Sequence, residues 1–206
     1  MSTITEPQLA NAALGYLNAS TITSLDEDTP HAASLSRYWN LCRQAMLREY
    51  DWNFARKTTS LTALAGASLT AVEDANYGNA YALPDDFLCA RTAQETSTLA
   101  KVEYDIRPDA LLTDAATVTL TYTRDITEVS TWDATFADAF AVAVAARAAK
   151  LITGSDEIAG ELSTLLRRDF LAPAKIASAT EAKPERGTSS FLPQSELIDA
   201  RFGGAA

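Results

Sequence analysis

The side chains that could carry catalysis are few and lie far apart in the sequence. The chain has a single histidine, His31, and an adjacent pair of carboxylates, Asp85 and Asp86, that could serve as a general acid and base. His31 directly follows Pro30 in the first turn of a predicted helix, a position more typical of a solvated residue than of a base. Adjacent carboxylates seldom converge, and acidic residues at the start of an element commonly cap backbone amides. A hydrolase that uses these three residues is therefore only a remote alternative.

The sequence also lacks patterns for metal, redox or phosphate chemistry. Cys42 and Cys89 are isolated from each other, with no C-x-x-C pair and no histidine at ligand spacing, and each follows a leucine. Both are predicted to be small core residues. The eight glycines are scattered, and none precedes a Lys-Ser or Lys-Thr pair. We therefore predict no catalytic residue, no metal and no cofactor, and a protein that is not an enzyme.

The charge balance argues against a protein that grips nucleic acid. The 206 residues include 17 Lys and Arg against 27 Asp and Glu, a formal net charge of −10, whereas binding to phosphates requires clustered positive charge. The start of the chain lacks a signal-peptide pattern, and no apolar run approaches the ~20 residues that span a bilayer. These features favour an acidic structural or binding protein, made in a reducing cytoplasm and not inserted in a membrane.

Helical periodicity dominates both ends of the chain. Asp133 is a predicted cap, Gly154 a predicted stop, and Pro173 a predicted end or kink of the last helix. Arg43 is expected on the solvent face of its helix. The third helix is rich in alanine, which suits close approach by a neighbouring helix or, in an oligomer, by another subunit. The predicted helices cover about 5–17, 30–50, 133–152 and 156–179.

The middle of the chain changes to period-two alternation, which indicates antiparallel strands. Val118, Leu120 and Tyr122 alternate with threonines, and a loop is predicted from 65 to 79. The predicted strands cover 54–64, 87–94, 101–106 and 117–123.

These patterns predict an α+β fold: a helical bundle with an inserted antiparallel β module and an extended C-terminal tail. Residues 1–53 and 132–180 form the helical body, 54–131 the β module and 181–206 the tail. The tail has neither helical nor strand periodicity, so it is not expected to fold alone. A neighbouring subunit or partner protein would hold it. Its apolar residues are the predicted partner-binding residues: Phe191, Leu192, Leu197, Ile198 and Phe202.

Three stretches of the sequence occur in a familiar order and spacing. They are Thr5–Leu14 followed by Ala33–Leu35 and Tyr50–Ala55, then Tyr77–Leu88, and finally Thr131–Ser155. This combination resembles the head-to-tail adaptors of short-tailed phages, the tail tubular protein A family. The resemblance covers about residues 5 to 180 and leaves the tail outside.

The resemblance implies a structural virion protein without catalytic residues, assembled in the host cytoplasm. Such adaptors form a ring, typically of twelve subunits, that joins the portal protein to the tail nozzle protein and forms part of the DNA ejection channel. DNA would pass without specific binding, and a negative channel wall would repel its phosphates. Tyr81, Pro84 and Asp86 would be turn and packing residues. Cys89 stands where the family pattern favours arginine, which leaves an ion pair at that corner open.

Two questions stay open at this level. The C-terminal tail could dock on the portal or on an adjacent subunit. A neck connector or tail-completion protein of a long-tailed phage or gene-transfer particle is the alternative to the short-tailed adaptor.

Overall fold

The computed structural model describes residues 4–65 and 77–181, with five α-helices in that part of the chain. The predicted partner-binding residues of the tail lie outside the described residues, as does most of the loop predicted at 65–79. The last helix extends one residue into the range predicted as tail. The helices are α1 (Glu6–Gly15), α2 (Pro30–Glu49), α3 (Ala134–Thr153), α4 (Asp156–Leu165) and α5 (Ala172–Glu181).

Helix α3 begins and ends at the predicted residues. The Asp133 carboxylate accepts hydrogen bonds from the backbone N–H groups of Thr135 at 2.9 Å and Phe136 at 3.3 Å, which satisfies two amides that have no partner within the helix. Gly154 follows the helix in the left-handed conformation, with φ of 73°, and its N–H bonds to the Lys150 carbonyl. Both predictions are confirmed.

The two glycines at 154 and 160 should respond in opposite ways to replacement by alanine. Gly154→Ala forces an L-residue into the left-handed region, so we expect a loss of about 1–2 kcal/mol in the free energy of unfolding. Gly160 lies inside α4 with open space around its Cα, so Gly160→Ala should stabilise the protein by about 0.5–1 kcal/mol. Urea unfolding of both variants measures the two signs, and an equal effect at both sites would contradict the helix stop at Gly154.

Pro173 does not end the last helical segment, so of the two predicted effects, an end or a kink, the end is wrong. The chain passes from α4 through a π-helical turn, Leu166–Leu171, directly into α5. A proline lacks the N–H of a regular helical bond and crowds the carbonyl four residues before it. The wider π turn just upstream changes the bonding pattern at that point, so the helix continues past the proline.

Helix α3 is the central helix of the bundle. Twelve of its twenty residues are buried, including eight alanines, and α1, α2 and α4 all pack against it. The small side chains therefore do allow close helix packing, as predicted, but the contacts lie within one chain. The interpretation of this alanine-rich helix as a surface for packing between subunits is wrong.

In the described residues, the β module consists of two three-stranded antiparallel sheets. Their spatial orders are β1–β6–β3 and β2–β5–β4. Backbone hydrogen bonds join the sheets at both corners: Ala82 N–H to Thr62 O at 2.9 Å on one side and Val102 N–H to Ala93 O at 3.1 Å on the other. The strands are β1 (Arg56–Ser60), β2 (Asn79–Ala82), β3 (Phe87–Glu95), β4 (Asp105–Ile106), β5 (Ala110–Thr113) and β6 (Val118–Arg124).

The predicted strands at 54–64, 87–94 and 117–123 correspond to β1, β3 and β6. The strand predicted at 101–106 is wrong in length: only β4 and a single bridge from Lys101 to Gln94 form there. Strands β2 and β5 were not predicted. All four residues of β5 are buried, so the sequence shows no alternation there.

The fold class is α+β, as predicted. The helices before and after the β module share one apolar core, whereas the β module has a second core between its sheets. The second core is formed by Tyr81, Ala93, Leu111, Val118, Leu120 and Tyr122.

Candidate functional site

The structure does not assemble the three residues of the hydrolase alternative. Asp85 is exposed in the turn before β3, whereas Asp86 is half-buried there. Asp125 donates its backbone N–H to the Asp86 carbonyl, and its side chain pairs with Arg43 of α2. His31 lies twelve residues before Arg43, or about 18 Å along the helix. Within the described residues no hydrogen bond or ion pair joins His31 to Asp85 or Asp86.

Asp86 connects three parts of the β module. Its carboxylate accepts hydrogen bonds from Lys57 of β1 at 2.8 Å and from the Tyr122 hydroxyl of β6 at 2.6 Å. Burial by itself would raise the pKa of Asp86, but these two hydrogen bonds and the Lys57 charge outweigh it and lower the pKa below its usual value. Because Cys89 stands where the family pattern favours arginine, the sequence left open whether an ion pair forms at this corner. An ion pair does form there, between Asp86 and Lys57 of β1.

The other residues implied by the resemblance occupy packing and turn positions. Tyr81 is buried in the core of the β module, and its hydroxyl donates to the Ala115 carbonyl at 2.7 Å. Pro84 lies in the turn, where its carbonyl accepts the Phe87 N–H at 2.9 Å. Of the two cysteines, Cys42 is buried as predicted, while Cys89 is only half-buried, so its prediction as a core residue is wrong.

Arg43 is not the solvent-facing residue that the sequence predicted. It is 4% exposed and forms an ion pair with Asp125, the residue that follows β6. Gln44 also donates to the Asp125 carboxylate, at 3.1 Å. Position 43 lies four residues after Trp39 and four before Leu47, both buried, so the helical spacing itself marks it as part of the buried face.

Arg91 of β3 binds the C-terminal end of α2. Its guanidinium donates to the Tyr50 carbonyl at 2.6 Å and to the Leu47 and Arg48 carbonyls at 3.3 Å, and its Nε donates to Thr123 at 2.8 Å. A cation at this end of a helix satisfies free carbonyls and interacts favourably with the helix dipole. Contacts between the β module and α2 are made by Arg43, Gln44, Arg91 and Asp125. Beside them, Lys57, Asp86 and Tyr122 bond to one another within the β module. We call these seven residues together the polar junction.

The carboxylate of Asp86 should make stability depend on pH. Because folding lowers its pKa below the usual 3.8, its stabilising contribution is complete above that pH and is lost as the pH falls through the lower, folded-state value. Lys57, whose pKa is raised by its hydrogen bond to Asp86, stays charged throughout this range. We expect Asp86→Asn to be less stable than the parent protein near neutral pH, with the difference shrinking below about pH 4.

Asp85→Asn is the matched control for this measurement, because Asp85 is exposed and makes no hydrogen bond or ion pair with the described residues. Urea unfolding of both variants from pH 2.5 to pH 7 gives the comparison. The same pH dependence in the two variants would contradict the role of Asp86.

Among the surface openings of the described residues, two adjoin α2. The first, of about 660 Å³, lies between the end of α2 and the β module beside the polar junction. It is lined by Arg48, Phe87, Leu88, Cys89, Tyr104 and Ile106 among others. The second, which we call the helical groove, has a volume of about 380 Å³ and lies between α2, α3 and the π turn. Its wall includes Met46, Ala143, Ala146, Arg147, Arg167 and Leu171. Both openings place arginine beside apolar side chains, and arginine, methionine and aromatic residues are enriched in protein interfaces.

Residues 4–65 and 77–181 contain neither a cluster of metal-ligating side chains nor a helix that could span a membrane. No group of three or more His, Cys, Asp or Glu residues is placed to hold a metal ion there. Among the same residues no helix has the length and apolar character to span a membrane.

The comparisons with known proteins do not assign the chain to a family. No family model matches the sequence, and no curated protein matches it either.

Proposed function

We propose that this chain is a structural virion protein, a head-to-tail adaptor whose copies form a ring between the portal and the tail nozzle. The observation that supports it best is the position of the three stretches on which the resemblance depends. The first supplies α1 and the Trp52 corner, the second supplies β2 and the turn at Asp86, and the third supplies α3. These elements build both cores and part of the polar junction, so the resemblance involves the residues that determine this architecture.

The architecture suits a connector that performs no chemistry. The helical bundle and the β module have separate cores, and the polar junction fixes one against the other through Arg43, Asp125 and Arg91. A body with two different ends in a fixed orientation can contact two partners at once. The formal charge of −10 agrees with a channel wall along which DNA slides without binding.

The experiment is reconstitution with the portal protein encoded by the same genome. The full chain should attach to portal rings and add a second ring of density below them in electron micrographs. A chain that ends at residue 180 should keep its helical content and cooperative unfolding but lose this attachment. Attachment by the truncated chain would contradict the tail assignment, and failure of the full chain to bind portal rings would contradict the adaptor.

The same reconstruction tests the charge argument and the alternative. The channel-facing side chains of the ring should be mostly acidic or neutral, and a channel lined mainly by Lys and Arg would contradict passage by repulsion. A ring in the neck of a particle with a long tail would favour the connector of a long-tailed phage over the short-tailed adaptor.

A further inference from the structure

The helical groove is a depression on the surface of the helical bundle, lined about equally by polar and apolar atoms. Met46 of α2, Ala143 and Ala146 of α3, and Leu171 of the π turn form its floor, and each is largely buried. Ala45, on the edge, is exposed. The π turn lies beside the groove, where a widened helical turn displaces the backbone from regular α geometry. The resulting space accommodates one or two aliphatic side chains.

Two arginines border this groove without a partner in the described part of the chain. Arg147 projects from α3 and Arg167 from the π turn, and both are exposed. Neither makes a hydrogen bond or an ion pair with the residues described. The one acid in the groove wall, Glu49, is bound to Lys175 at 2.9 Å. The groove is therefore apolar in its centre and positive at its edge, which is the complement of an apolar segment flanked by carboxylates.

We propose that this groove binds the segment Glu196–Asp199 from the C-terminal tail of a second copy of the chain. In that segment two apolar residues, Leu197 and Ile198, stand directly between two acids. The apolar pair would enter the groove, and the carboxylates of Glu196 and Asp199 would pair with Arg147 and Arg167. The other apolar residues of the tail are not flanked by acids on both sides.

The length of the tail allows it to reach a groove on a second copy. Helix α5 carries the backbone about 15 Å from the groove wall at Leu171 to Glu181, so the tail begins at a distance from its own groove. The 15 residues from Glu181 to Glu196 reach up to about 50 Å when extended, enough to reach an adjacent subunit. The assignment to a second copy rests on the ring proposed above.

Site-specific photocrosslinking in the full chain tests this docking. A photoreactive phenylalanine analogue replaces Ile198, equal amounts of ¹⁴N- and ¹⁵N-labelled protein are mixed, and crosslinked peptides are identified by mass spectrometry with and without portal rings. We expect crosslinks from position 198 to groove peptides that contain Met46 or Leu171, with mixed isotopes. Crosslinks of a single isotope would overturn docking between copies, and crosslinks elsewhere, or none in either condition, would overturn the groove.

Reversal of the charges at the groove and in the tail is the second test of this docking. The pair Arg147→Glu and Arg167→Glu should lower the groove crosslink about tenfold, and adding Glu196→Arg with Asp199→Arg should restore it. Arg37→Glu, on an exposed position of α2 outside the groove, is the matched control and should leave the yield unchanged. Equal yields in all variants would overturn the ion pairs. A chain that binds portal rings without the groove crosslink would keep the adaptor and reject the groove; the converse result would reject the adaptor alone.

Discussion

Replacing Phe136 with alanine should lower the free energy of unfolding by about 3–5 kcal/mol, the range for deleting a buried aromatic ring that its surroundings cannot refill. Phe136 is fully buried in α3. Its ring lies 5.0 Å from that of Trp52, 4.9 Å from that of Phe54 and 5.3 Å from that of Trp132, in edge-to-face arrangements. These partners come from the segments that enter and leave the β module, so one ring joins both halves of the helical body.

Urea unfolding monitored by far-ultraviolet circular dichroism measures this loss. Leu151→Ala is the matched control, because Leu151 lies in the same helix but is 48% exposed, and its replacement should change stability by less than about 1 kcal/mol. A loss below about 1 kcal/mol for Phe136→Ala would show that the aromatic cluster does not organise the core. If the free energy of unfolding extrapolated to water were unchanged but its slope against urea concentration differed, Phe136→Ala would have changed the compactness of the unfolded or native state, or broken two-state unfolding.

The boundaries of α3 could be predicted because the signals for them are local. A carboxylate at the first cap and a glycine beyond the last turn act on backbone groups within four residues, so Asp133 and Gly154 are recognisable without tertiary information. The threonine-rich strand β6 is similar, since from Val118 to Tyr122 its alternation of buried and half-buried residues follows from the pleat. These elements position the rest of the fold.

Which surface a helix face packs against depends on residues far away in the sequence. The sequence alone therefore predicts it poorly. The alanines of α3 indicate close packing, but their sequence cannot distinguish a helix of the same chain from one of a neighbouring subunit. Arg43 has the spacing of a buried residue and the chemistry of an exposed one. Asp125, which decides between them, lies 82 positions further along the chain.

The candidate site shows the same difference between local signals, which the sequence reveals, and non-local contacts, which it does not. Asp86 was predicted as a turn or capping residue, and the turn is confirmed. Its partners come from positions 29 residues before and 36 residues after it in the sequence. No pattern in a single sequence pairs Lys57 or Tyr122 with this carboxylate, because β1 and β6 become neighbours only when the sheet closes. The polar junction is therefore visible only in the folded chain.

The ion pair between Arg43 and Asp125 should make the largest polar contribution to the junction. The Arg43 side chain is 5% exposed and that of Asp125 is 25% exposed. Removing either partner leaves the other charge in a region of low polarity, which costs about 3–5 kcal/mol for buried pairs. Because Arg43 is the more buried charge, Asp125→Asn should cost more than Arg43→Met. The double variant should cost less than the sum of the two single losses, since it leaves no unpaired charge.

A double-mutant cycle by urea unfolding at pH 7 measures this coupling. Lys150 and Asp156 form the matched control: they lie 3.0 Å apart, but their side chains are 66% and 74% exposed, so their coupling should be about 0–1 kcal/mol. Equal coupling energies for the pair Arg43 and Asp125 and for the pair Lys150 and Asp156 would contradict a buried ion pair at the junction. A larger coupling at Arg43 would identify the contact that holds the β module in one orientation on α2. If the proposed adaptor function depends on that orientation, Asp125→Asn should weaken attachment to portal rings even at temperatures where the protein stays folded.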